Sequence, residues 1–239
     1  MLYPTKKEFI KLAKKGNLIP VYGEMLADFE TPLSVFAKID KGDHSFLLES
    51  VEGGERLARY SFLGSRPSMI FSSKGRDVEI KDRGQVKRLV TSDPISELRK
   101  IIKRYKVVSI KGLPRFCGGL VGYIGYDMVR FFEDIPDKNS DEIGAPDAVF
   151  MLTENILVFD HVDHKIKVVS NVHVTGDPAA RYDEATKKIE SIIKDLKSNT
   201  PMAASRARKR HNPDPKVYSN FTKKDFENVV TKTKEYIRK

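Results

Sequence analysis

Met69-Ile-Phe-Ser-Ser-Lys-Gly-Arg-Asp-Val-Glu-Ile-Lys-Asp-Arg-Gly-Gln-Val-Lys-Arg-Leu-Val90 is the stretch on which the fold class turns. Three short runs, 69–73, 78–81 and 86–90, carry the apolar residues, and polar residues separate them. Asp82-Arg-Gly84 supplies turn chemistry between the last two, so the segment predicts a meander of antiparallel strands. The pattern extends both ways. Residues 45–51 and 58–63 flank Gly53-Gly54 and predict a hairpin, and residues 120–126 predict a further extended piece. Residues 148–159 and 165–174 predict one long hairpin across Asp160-His-Val-Asp-His164.

Helix signals surround these strands. Thr5-Lys-Lys-Glu8 is a capping-box pattern ahead of Phe9, Leu12 and Ala13, with Gly16 as the stop. Thr31-Pro32 and Asp93-Pro94 each place a cap before a proline at the first helical position. Asp177-Pro178 opens the clearest helix. Its stripe is Tyr182, Ala185, Ile189, Ile192, Ile193 and Leu196, and its spacing predicts ion pairs Asp183/Lys187 and Glu184/Lys188. Antiparallel strands with helices outside define an α+β class. Residues 198–220 lack a hydrophobic period, hold the basic cluster Arg206-Ala-Arg-Lys-Arg210 and predict a linker. Thr222-Lys-Lys-Asp225 then caps a last helix with Phe226, Val229, Val230, Tyr236 and Ile237 on one face. Such a stripe needs a surface to bury it, so its partner is expected to lie outside the 239 residues.

Composition narrows the function classes. Hydrophobic residues make up 40% and charged residues 32%, which suits a globular chain with a sizeable core. No apolar run approaches the roughly 18 residues of a membrane span, and the first residues lack a signal-peptide core, so a cytoplasmic location is expected. The single cysteine, Cys117, has no intrachain disulfide partner and reads as a small buried residue. The net charge of +10 is spread along the chain apart from Arg206 to Arg210, which reads as a solvated linker rather than a nucleic-acid site. His161-x-x-His164 reads as turn residues rather than a metal pair. Gly118-Gly119-x-x-Gly122-x-x-Gly125 has neither phosphate-loop nor dinucleotide spacing, and its glycines read as places of close backbone approach. The residues alone assemble no catalytic constellation.

Three segments nevertheless resemble component I of anthranilate synthase, in order and at natural distances. They are Asn17-Leu-Ile-Pro-Val-Tyr22 running on to Pro32, Phe46-Leu-Leu-Glu-Ser-Val-Glu-Gly-Gly-Glu55 with Ala58-Arg-Tyr-Ser-Phe-Leu-Gly64, and Gly118-Gly-Leu-Val-Gly-Tyr-Ile-Gly-Tyr-Asp127. Residues 147–152, 159–161 and 218–222 fit the family as well. The resemblance implies antiparallel sheets packed as a sandwich with helices outside. It also implies a tryptophan-sensing domain over 1–197, a basic flexible linker over 198–220, and the first helix of a chorismate-binding domain over 221–239. In this family the Leu-Leu-Glu-Ser element belongs to the feedback site for L-tryptophan, which transfers to Leu48, Glu49 and Ser50. Glu49 would pair with the ligand ammonium and Ser50 would hydrogen-bond the ligand. Leu48 and Pro20-Val21 are the expected walls for the indole. The full-length family converts chorismate and ammonia to anthranilate and pyruvate with Mg2+, the ammonia coming from a glutamine amidotransferase partner. The magnesium ligands and catalytic residues are expected outside this chain, which would be inactive alone. The alternatives are an aminodeoxychorismate synthase component of folate biosynthesis and a free-standing tryptophan-binding module.

Overall fold

A computed structural model describes residues 1–40, 42, 44–49, 59–198 and 218–239. The chain divides into two units, Met1–Met202 and Ala203–Lys239. In the first unit, eleven strands among the described residues form two antiparallel sheets. The larger sheet has the order β1 (Leu2–Tyr3), β2 (Leu18–Leu26), β11 (Lys165–His173), β10 (Asn155–Asp160), β4 (Tyr60–Ser65), β3 (Ser45–Leu48). The smaller has the order β7 (Gln85–Val90), β6 (Asp77–Asp82), β5 (Met69–Lys74), β9 (Ala148–Thr153), β8 (Gly119–Ile124). The mixed class predicted from the sequence is therefore observed.

The meander folds as its turn residues dictate. Asp82 pairs with Gln85 across a two-residue loop in which Arg83 and Gly84 have φ of 46° and 86°. Positive φ at both loop residues is the hairpin geometry whose twist matches the flanking strands. The expected hairpin of β3 and β4 forms with Leu48 opposite Phe62, while its Gly53-Gly54 turn lies outside the described residues. The run 148–159 departs from expectation: it is two strands in two different sheets, parted at Glu154, and only β10 pairs with β11. Glu154 is pinned there by Arg83 at 2.7 Å, and its carbonyl accepts a bond from the Asn171 N–H at 2.7 Å.

The strand β2 carries no alternation in the sequence because both faces are buried, with the pattern of a central strand rather than a half-exposed one. Its Pro20 is tolerated for a definite reason. Leu18, two residues earlier, bonds outward to Val108, so the missing N–H of Pro20 faces the same outer edge and not the β11 ladder.

Every helix predicted from a cap is present. These are α1 (Lys6–Leu12), α2 (Pro32–Ile39), α3 (Pro94–Ile102) and α4 (Pro178–Lys197), capped by Thr5, Thr31, Asp93 and Asp177. Helices α1, α2 and α4 cover one face of the larger sheet around Phe9, Val21, Val35, Leu63, Ile166 and Ile189. The opposite face meets the smaller sheet through Tyr22, Phe46, Ile156, Val158 and Val169 packed with Val121, Met151 and Phe116. Helix α3 covers Met69, Phe71 and Val78 of the smaller sheet with Leu98 and Ile101. This is a sandwich with helices outside.

The ion pairs predicted on α4 are replaced by others. Asp183 reaches Lys6 of α1 at 2.7 Å, and Glu184 takes Arg181 at 2.8 Å, one turn in the other direction. In the second unit, α5 (Lys223–Arg238) is capped by Thr222 and buries none of its residues. Among the described residues, no helix is long and apolar enough to cross a membrane.

Candidate functional site

Between the two sheets opens a cleft of about 760 Å3. One wall comes from the larger sheet: Leu47, Leu48 and Glu49 at the end of β3, and Tyr60 and Phe62 on β4. The other comes from Phe116, from Leu120, Val121 and Gly122 on β8, and from Phe150 on β9. Alternation along β3 explains the division of labour. Phe46 joins the core between the sheets, Leu47 packs beneath the helices, and Leu48 returns to the sheet-facing side. Leu48 is 46% exposed, as a residue lining an open cleft should be.

The aromatic walls are ordered against one another. Phe62 and Phe116 meet edge to face with ring centroids 5.0 Å apart, and Tyr60 lies 6.1 Å from Phe62. Burial, with the Asp160 carboxylate nearby, pushes the Tyr60 hydroxyl up, so Tyr60 itself stays neutral at physiological pH. Arg59 lies over the Tyr60 ring at 5.0 Å and forks onto Asp160 at 3.0 and 2.8 Å. Asp160 is fully buried. Burial raises its carboxyl, but the Arg59 fork and the N–H groups of Asp163 and Val162 outweigh that and hold it below the usual carboxylate range. This anchor fixes the start of β4, and with it Tyr60 and Phe62.

Gly122 shows why a glycine belongs in β8. A Cβ there would lie 1.8 Å from the Val149 carbonyl oxygen, so the two strands approach only because no side chain intervenes. The close-approach reading of the glycine run is correct at this position.

Of the residues expected to hold a ligand, Leu48 and Glu49 line the cleft, and Ser50 lies outside the described residues. Pro20 and Val21, the other expected walls, do not line this cleft, and Val21 is fully buried on the helix-covered face of the sheet. Phe62, Phe116, Leu120 and Phe150 were not singled out from the sequence. They converge only through the sheet topology, and no local spacing marks them.

Other candidates resolve into structure. His161 bonds Ser61 at 2.8 Å, and His164 adopts φ 48° in the turn between β10 and β11, as turn residues do. Burial pushes the half-buried Cys117 thiol up, away from nucleophilic use. Arg206 to Arg210 lie outside the described residues. Among the described residues, no group of three or more His, Cys, Asp or Glu could hold a metal ion.

The family described as chorismate binding enzyme matches residues 43–239. Anthranilate synthase component 1 of Acetivibrio thermocellus is 38% identical over all of this chain and 49% of its own length. That of Aquifex aeolicus is 40% identical over 97% of this chain and 47% of its own length. A crystal structure of anthranilate synthase component I from Streptococcus pneumoniae TIGR4 is 29% identical, with a TM-score of 0.46 over 74% of this chain and 37% of its own. The chain thus spans about half the length of the curated relatives it matches. With a family match running over most of its residues, this chain belongs to the chorismate-binding enzymes.

Proposed function

We propose that this chain is the amino-terminal, tryptophan-sensing portion of an anthranilate synthase component I, and that L-tryptophan binds in the cleft between the sheets. One observation carries the reading: an apolar, aromatic slot opens between Leu48 and Phe116, with the Glu49 carboxylate among its lining residues. A free aromatic amino acid presents a flat apolar ring and a charged ammonium. The slot offers phenyl faces and edges to the first and a carboxylate to the second. Ser50 is the further proposed contact. The sensing of tryptophan implies feedback on its own biosynthesis.

Conversion of chorismate and ammonia to anthranilate and pyruvate belongs, in this proposal, to the whole enzyme. The remaining half and a glutamine amidotransferase partner complete it. Magnesium, which the family uses, does not fit the described residues here, since none of their acidic or histidine side chains cluster as a metal site. Alone, the 239 residues should form no anthranilate; fluorescence of the product is the readout, and turnover by the isolated chain would overturn this assignment.

The binding proposal has a clean test, because the chain contains no tryptophan of its own. Indole emission therefore reports the ligand alone. Titration should shift that emission to shorter wavelength and saturate. Glu49→Gln, which loses a charge-assisted bond, should weaken binding about ten- to hundredfold. Emission that stays at its aqueous position through millimolar protein would remove the cleft as a tryptophan site.

A further inference from the structure

Between β8 and β9 the chain runs from Gly125 to Asp147 as a strap, opening with a 3-10 helix over Tyr126–Phe131. Seven carboxylates and two cations fall within it, in a chain whose net charge is +10. Apolar residues stand out from the same strap: Tyr126, Phe132 and Ile143 are 82%, 61% and 88% exposed. Internal bonds hold it in place. Arg130 donates to the carbonyl oxygens of Ile135 and Pro136 at 3.2 and 2.7 Å and pairs with Asp127 and Asp137. Lys74 of β5 bonds Asp141 and the Ala145 carbonyl oxygen, and Met128 is buried. These bonds leave out Glu133 and Asp134, directly after Phe132, which form no ion pair among the described residues. An apolar knob with two uncommitted carboxylates beside it calls for an apolar hollow with a cationic rim.

The same chain carries such a hollow elsewhere. A concavity of about 450 Å3 lies between α1 and residues 109–111. Tyr3, Pro4, Leu12 and Ile110 supply its apolar lining. Lys11, Lys15 and Lys111 stand around it as exposed cations, without an ion pair among the described residues. Its one acid, Glu8, is engaged in the cap of α1, where Oε2 accepts from the Thr5 N–H and hydroxyl. Tyr3 stacks on Tyr22 with centroids 5.4 Å apart, and Tyr22 donates to the Lys111 carbonyl oxygen at 3.3 Å, so this face too is preformed. Two ordered faces lose little conformational entropy on meeting.

We infer that copies of this chain associate head to tail: Phe132 of one copy enters the hollow of the next, and Glu133 and Asp134 meet Lys11, Lys15 and Lys111. The two faces differ, so the contact is heterologous and assembly is not limited to a symmetric pair. The net charge of +10 repels copies at long range, but at physiological salt that repulsion fades beyond about 8 Å, and the contact charges lie closer. Neither face lines the cleft between the sheets, which makes the inference independent of the tryptophan reading.

Sedimentation velocity of the whole chain over rising concentration tests it. At about 0.1 M salt the average mass should climb above that of one chain, and at about 1 M salt, where the Debye length falls to about 3 Å, it should return towards one chain. Phe132→Ala should weaken association about ten- to hundredfold. The sharpest arm pairs two charge reversals at exposed positions: Glu133→Lys with Asp134→Lys on the strap, and Lys15→Glu with Lys111→Glu at the hollow. Each double variant alone should stay single. An equal mixture should associate again, because the first keeps an intact hollow and the second an intact strap; a misfolded variant could not restore it. A parent chain that stays single at millimolar concentration in low salt would mean that another partner covers the strap, and would overturn the inference. Mass unmoved by salt, self-association of the hollow variant alone, or a mixture that stays single would overturn it equally.

Discussion

The strands β11 and β7 have opposite fates within one unit. In β11 every residue from Ile166 to Val172 is buried, with helices α1, α2 and α4 over one face and the second sheet over the other. In β7, at the outer edge of the smaller sheet, five of the six residues are exposed. Burial is thus most complete in the centre of the larger sheet, whereas the smaller sheet, with its own core around Phe71 and Met69, ends in an exposed edge. The consecutive Lys87 and Arg88 on that edge also disfavour adventitious strand pairing.

Four substitutions break or sharpen this contrast when ΔG is measured by denaturant unfolding at constant slope. Ile166→Ala, in the centre of the larger sheet, should cost about 2–5 kcal/mol through lost burial and a residual cavity. Asp160→Asn should cost about 1.5–3 kcal/mol at neutral pH, since it weakens the charged bonds to Arg59 at a fully buried site. The same variant has a pH signature. The folded Asp160 carboxyl is held below its ordinary value, so its contribution is present above about pH 4 and is lost as the pH falls through the lower folded value. Asp160→Asn should accordingly lose less stability than the parent on acidification below about pH 4. Thr31→Ala, which removes the cap of α2 over the larger sheet, should cost about 1 kcal/mol. Val86→Ala on the exposed β7 should fall within about 0.5 kcal/mol of the parent. If Val86→Ala costs as much as Ile166→Ala, the contrast between β11 and β7 is wrong.

The same contrast governs what the sequence reveals. One-sided strands such as β5 and β6 alternate and are bounded by turn residues, so the meander is legible from residues 69–90 alone. The helices are legible because each opens on Thr or Asp with a proline or an acidic residue nearby. The two-sided β2 has no period to read, and Pro20 disguises it further. The break at Glu154 is silent as well, because buried strands in either sheet favour the same apolar residues as 148–159. For the site, Leu48 and Glu49 could be proposed from a family resemblance, whereas Phe116 and Phe150 required the topology. Lys188 illustrates a subtler limit. Spacing permits two partners for Glu184, and only the folded helix shows that Arg181 takes it.

One residue, Glu154, joins β9 to β10 and so connects the hydrogen-bonded neighbours of the cleft's two sides. The sheets are therefore leaves of a book bound along one margin, where Arg83 and the Asn171 N–H hold Glu154 and residues 66–68 carry β4 directly into β5. A molecule wedged between the leaves cannot push them apart in parallel; it must twist them about that binding. In such a layout any widening of the slot is a change of angle, greatest at an edge as far from the margin as β7.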